Sequence, residues 1–263
     1  MKYASWKDLN FAFMTVGIIL VTHAVAYLTH EFSHSFTAWA LGYMNNPIAL
    51  DYGTFSPANI VLLSEVGDNV QYDPILSGGH GLAVTMIALA GPYVGNALLY
   101  FCLCAFADRL RTRGVVVASF TFWLMLMCAG NVWSYVPIRA ITTHADIAIA
   151  ASGLHISVWT LFPFLLVPSL ILVGHFFARS CPLLIPAIAK HQLARTALVV
   201  AVTATWFFTF FGGLGLSGGY GAFSQAFSVV SAVLLMPLAA MWLWARCVSV
   251  APRFNGGKAS AAT

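Results

Sequence analysis

Residues 11–42 read FAFMTVGIILVTHAVAYLTHEFSHSFTAWALG. About 20 apolar residues carry a helix across a bilayer. This stretch exceeds that length and holds one formally charged side chain, Glu31, set between His30 and His34. At 3.6 residues per turn, positions four apart lie about 40° apart around a helix axis. Both imidazoles therefore reach one side of the helix, where they can share an ion. A central acid in a membrane span costs about 2.5–3.5 kcal/mol even on lenient scales, so such groups usually have a use.

The composition points the same way as this span. Of 263 residues, 60% are hydrophobic and 8% charged, against about 25% charged in a soluble domain. The expected fold is an all-α polytopic membrane protein, a single membrane domain over 1–263. The net charge of +4 forms no basic patch for nucleic acid. Cys102, Cys104, Cys128 and Cys247 lie in or beside apolar runs, and Cys181 falls in a basic loop. None forms a Cys-x-x-Cys pair, so neither a disulfide framework nor a thiolate metal site is expected.

Further apolar stretches follow. The predicted spans run roughly 10–42, 81–106, 115–137, 153–178, 195–211 and 226–248. Lys2 and Lys7 precede the first. Arg109, Arg111 and Arg113 follow the second. Arg179, Lys190 and Arg195 join the fourth to the fifth, and Arg246, Arg253 and Lys258 come last. The intervening connections hold Arg139 alone. By the positive-inside rule both termini face the cytoplasm. Lys2, Lys7, the apolar run and Ala24-Val25-Ala26 loosely match a cleavable signal. Cleavage there would remove the helix beneath His30, so the segment is read as an uncleaved span.

Residues 44–80 are the one sizeable extramembrane insertion. Turn signals at Asn46-Pro47, Ser56-Pro57, Gly67-Asp68 and Gly78-Gly79 flank β-favouring runs such as Ile60-Val61-Leu62-Leu63, which predicts small strands. The run from Gly212 to Gly221 lacks the strand and helix that a phosphate loop needs, so it is read as a flexible turn. The tail from Pro252 to Thr263 is expected to be disordered.

His30-Glu31-Phe32-Ser33-His34 is the arrangement of zinc metalloproteases, with Glu31 as general base. A hydrolytic zinc site takes three protein ligands and keeps one position for water. Asp146, on the outer side beyond span three, is the first choice for the third ligand. His144 is the alternative, and Asp51 and Asp73 are further possibilities. His23, two turns deeper on nearly the same face, either lines a water path or packs between helices. If span one ends near Gly42, His34 and His30 lie about 12 and 18 Å below its outer end. Gly91 to Asn96 then fall about 15–22 Å down span two, so the two polar sets can meet.

With these pieces placed, the chain resembles the site-2 protease (M50) group of intramembrane zinc metalloproteases. Three segments carry the likeness: His30 to His34 in a span, Gly91-Pro92-Tyr93-Val94-Gly95-Asn96 in the next, and Asn131 to Pro137 with Asp146 beyond. They reach from about residue 10 to 150, the catalytic core. Spans four to six, about 153–248, carry nothing diagnostic. Asn96 stands one residue further from Gly91-Pro92 than in the group's pattern, and Ile147, not Gly, follows Asp146. The resemblance implies a protease holding Zn²⁺ through His30, His34 and Asp146, with Asn96 binding substrate. Its partner would be the transmembrane segment of another membrane protein, opened locally and offered to a strand edge of the insertion. The rival reading is a non-proteolytic metal-binding or transport protein, or an inactive homologue, using the same ligands.

Overall fold

The computed structural model describes residues 6–217 and 219–249. The tail from Pro252, Lys2 of the signal-like pattern, and the terminal cations Arg253 and Lys258 lie outside them. Among the described residues, six helices are long and apolar enough to cross a membrane. In chain order they are α1 (Trp6–Ala40), α4 (Gly81–Leu110), α5 (Val115–Ile138), α7 (Val158–Ala189), α8 (Leu193–Leu216) and α9 (Ala222–Ser249). Three short helices, α2 (Pro57–Leu62), α3 (Tyr72–Ser77) and α6 (Asp146–Gly153), sit between them. The chain is an all-α multi-pass membrane protein.

α5 is the centre. Its most apolar window is 78% buried, against 17% for α9. Phe122, Trp123, Met125, Leu126 and Met127 are fully enclosed, and α1, α4 and α7 pack around them. The outer faces are apolar as well: Phe13, Phe164 and Val233 are each more than two-thirds exposed. Such surfaces suit lipid, not water. On α1 four hydroxyls are satisfied within the helix. Thr15, Thr22, Thr29 and Ser33 each donate to the carbonyl four residues back, at 2.7–2.8 Å, so these four are not left bare in hydrocarbon.

Two expectations are corrected here. Residues 44–80 contain no strand; the only pairing among the described residues is an isolated bridge between Asp51 and Gly67. Ile60 to Leu62 are helical instead. Ser56 caps α2 by accepting from Asn59 N at 3.1 Å, and Pro57 occupies the first turn. Capping and a pre-set proline φ override the β preference of Ile and Val. The insertion therefore offers no strand edge. Cys181 is not in a loop but fully buried, because α7 runs on past Arg179 to Ala189. The turn from Gly212 is docked on α9, with Gly215 N donating to Ser228 Oγ at 3.1 Å.

The short helix α6 does not span; it folds back beside the start of α4. Val136 is extended and Pro137 lacks an N–H, so α5 ends there. Ala145, at φ +73°, turns the chain into α6. α6 then docks through Gly153 against Gly81, and Thr85 Oγ1 donates to Ala150 O at 2.9 Å. A Cβ on Gly153 would stand 2.4 Å from Gly81 O and 2.5 Å from Thr85 Oγ1. Gly153→Val is accordingly expected to destabilise the protein by about 1–3 kcal/mol, the usual cost of overpacking. A lowered thermal midpoint in detergent would register it; an unchanged midpoint would mean that the α4–α6 contact is loose.

Candidate metal centre

Two helices supply one donor set. α1 supplies His30 and His34, 3% and 2% exposed. The first residue of α6 supplies Asp146. Nε2 of His30 lies 3.1 Å from Nε2 of His34 and 3.2 Å from Oδ2 of Asp146, and the third edge, His34 Nε2 to Asp146 Oδ2, is 3.3 Å. A tetrahedral ion with bonds of about 2.0–2.1 Å sets its ligand atoms about 3.3–3.4 Å apart. The observed triangle fits one face of that figure, leaving the fourth corner open. These three residues can hold a metal ion.

The surroundings prepare each donor. His34 Nδ1 donates to Ile87 O at 2.7 Å, which fixes the tautomer and leaves the Nε2 lone pair free. The Asn96 amide meets His30 Nδ1 at 2.8 Å. The meeting atom is Asn96 Nδ2, which also donates to Gly91 O at 3.3 Å, while Asn96 Oδ1 accepts from Asn131 Nδ2 at 3.2 Å. Tyr135 stacks on the His30 ring, centroids 4.9 Å apart and 15° from parallel. Burial pushes the Asp146 carboxyl up, but the His34 and His30 rings outweigh it and hold the group below its ordinary value. Asp146 also occupies the first turn of α6, where a negative charge complements the helix dipole.

α4 must come very close for this. A Cβ on Gly91 would lie 2.2 Å from His34 Nε2 and 2.6 Å from His30 Nε2, so only glycine leaves the donor atoms free. Ala90–Leu98 winds as a π-helix. That wider winding accommodates Pro92, which has no N–H to give, and turns Asn96 toward α1.

Asn96 lies inside this cluster. Expected to bind substrate, it is 0% exposed, and its amide is committed to His30, Gly91 O and Asn131. It stands against the His30 ring; Asn131 is the amide that reaches the neighbouring cavity. The alternative third ligands lie elsewhere. His144 stacks on Tyr220 with centroids 4.5 Å apart, and Asp51 and Asp73 are exposed. His23 Nε2 meets Leu62 O at 3.0 Å, and its ring also lines the cavity.

Glu31, 8% exposed, lies in a row with His23, Tyr27 and Ser35, four residues apart on one side of α1. Residues 62–68 run along that row. Tyr27 donates to Val66 O at 3.1 Å and Ser35 to Asp68 O at 2.8 Å. Asp68 approaches His34 Nδ1 at 4.0 Å and accepts from Tyr72 at 2.6 Å. Burial and this carboxylate raise the Tyr72 phenol, which keeps its proton to donate. Nothing in the local sequence pattern marks Asp68 or Tyr135 as part of this cluster.

No family model, curated protein or solved structure matches the chain.

One bound divalent ion per chain is expected by elemental analysis of the purified protein. His34→Ala, Asp146→Ala and Gly91→Ala should each lose it. Asn96→Ala should weaken it about 10–100-fold, the usual effect of removing a ligand's supporting partner. Asp51→Ala and Asp73→Ala should retain it; loss of the ion in these would shift the site away from Asp146.

Proposed function

We propose that this chain is an intramembrane metalloprotease of the kind its sequence resembles, the site-2 protease group, hydrolysing peptide bonds in or near transmembrane segments of other membrane proteins. The observation that carries the reading is the donor triangle of 3.1–3.3 Å with a buried carboxylate, Glu31, on the same helix. Two imidazoles and one carboxylate suit zinc, and three protein ligands with an open corner are the catalytic rather than the structural pattern. Zinc held there would supply a Lewis acid and a water of lowered pKa.

Glu31 is the proton carrier: it takes a proton from the attacking water and returns it to the leaving amine. Its low exposure keeps competing bulk water away from that exchange. The substrate helix must unwind locally, because carbonyls paired within a helix are not open to attack. Residues 62–68, laid along the row that holds Glu31, border the space into which such a segment would move. We place both termini at the cytoplasm on the charge pattern, which sets the site in the outer half of the bilayer.

The rival is a metal carrier built on the same ligands. A pathway needs ionisable groups along several spans, whereas the three donors here form one cluster between α1 and α6. Glu31→Gln separates the readings. It should keep the ion yet reduce cleavage of a co-expressed single-span substrate by at least about 100-fold. Metal transport that survives Glu31→Gln, in a protein whose wild type cleaves nothing, would replace the protease with the carrier.

A further inference from the structure

The ion and its acid leave one adjoining feature unused. A cavity of about 260 Å³ is bounded by His30 on one side. Phe210, Phe211 and Leu62 make part of its wall apolar, and Arg139 makes part of it cationic. Arg139 has no ion pair among the described residues. Its Nε donates to Ser134 O at 3.1 Å, one terminal nitrogen donates to Ser134 Oγ at 3.2 Å, and the other donates to Tyr220 Oη at 3.3 Å. A guanidinium carries five N–H groups, so each terminal nitrogen keeps one donor unspent.

The placement ties this group to the metal centre. The guanidinium lies over the Tyr135 ring, 4.3 Å from its centroid, and that ring is the one stacked on His30. No carboxylate among the described residues stands within ion-pair distance of this cation, and only the more distant charge of Asp146 and Glu31 reaches it, so part of its burial cost is left unmet. Two free donors on adjacent nitrogens match the two oxygens of a carboxylate. The apolar wall suits the methylene stem that would carry such a head.

We propose that this cavity is a binding subsite for a carboxylate, gripped by Arg139 beside the metal centre. Its place as a substrate subsite rests on the protease reading; the binding itself does not. The carboxylate could belong to an acidic side chain of the opened segment or to a free peptide C-terminus, and both present the same two oxygens.

Four probes separate these sources: the blocked tripeptide Ac-Leu-Glu-Leu-NH₂, its Gln counterpart, and Ac-Leu-Leu ending in a free carboxylate or in an amide. Binding is measured by calorimetry on the purified full chain in detergent, with and without zinc. The wild type should prefer at least one acid over its neutral partner roughly ten-fold or more, as expected for a charge-assisted pair. A preference within the Glu and Gln pair assigns the side chain, and one within the terminal pair assigns the C-terminus. Arg139→Gln should erase the preference with metal content unchanged. Arg139→Lys keeps the charge and should retain part of it, which covers the case in which the glutamine variant unfolds.

Equal binding within both pairs, or no binding by any probe, overturns the proposal. So does a preference that survives Arg139→Gln. An acid preference in a chain that holds no zinc would leave the subsite standing and end the protease reading. Zinc binding and cleavage without any acid preference would do the reverse.

Discussion

Three electron-pair donors within 3.1–3.3 Å of one another repel unless a proton or a metal cation lies among them. That constraint organises the core of this protein. His34 is held by the Ile87 carbonyl and His30 by Asn96, each from the face opposite its donor nitrogen. Asp146 is set by a helix that could not dock without paired glycines at 81 and 153. The triangle is thus built from outside inward: backbone contacts fix the helices, second partners fix the rings, and the three donor atoms converge as a result. Gly91 is the point where these demands meet, since any side chain there would meet both ring nitrogens.

The bilayer explains why so few residues suffice. In hydrocarbon every polar group must find an internal partner, so polar groups that remain are concentrated where they can serve one another. Four hydroxyls of α1, on Thr15, Thr22, Thr29 and Ser33, turn back onto its own carbonyls. The row of His23, Tyr27, Glu31 and Ser35 is covered by residues 62–68 and bonded to them at Leu62, Val66 and Asp68. Outside this seam α7 and α9 show lipid-facing Phe, Val and Ile. Dry walls around a small polar centre strengthen its electrostatics, which suits both a held cation and the proton work assigned to Glu31.

Much of this was legible in the chain alone. Span number and order follow from local apolar runs of sufficient length, which depend on no other part of the fold. The His30 and His34 pairing follows from helical periodicity, a property of five consecutive residues. The insertion was misread because the β preference of Ile60 to Leu63 is weak beside a Ser56 cap with Pro57 in the first turn. Those signals are also local, and could have been weighed correctly.

Other choices had no local signal. Asp146 stands first among the sequence candidates, ahead of His144, Asp51 and Asp73, but by its side of the membrane and by resemblance, not by a local pattern that joins it to His30. Only the fold-back of α6 onto α4 brings the first of them to the imidazoles. The contact of Asn96 with His30 has no local signal either; the π-helical winding from Ala90 brings the two together. Arg139 entered the sequence argument as a topological marker, and its unspent donors beside a cavity emerge only in three dimensions. The chain by itself therefore determined the bilayer-spanning helices and one half of the donor set, because both are written in residues close enough to share a helix. Which distant acid completes the set, and which amide supports it, was decided by helix packing, since those contacts join positions 65 to 116 residues apart.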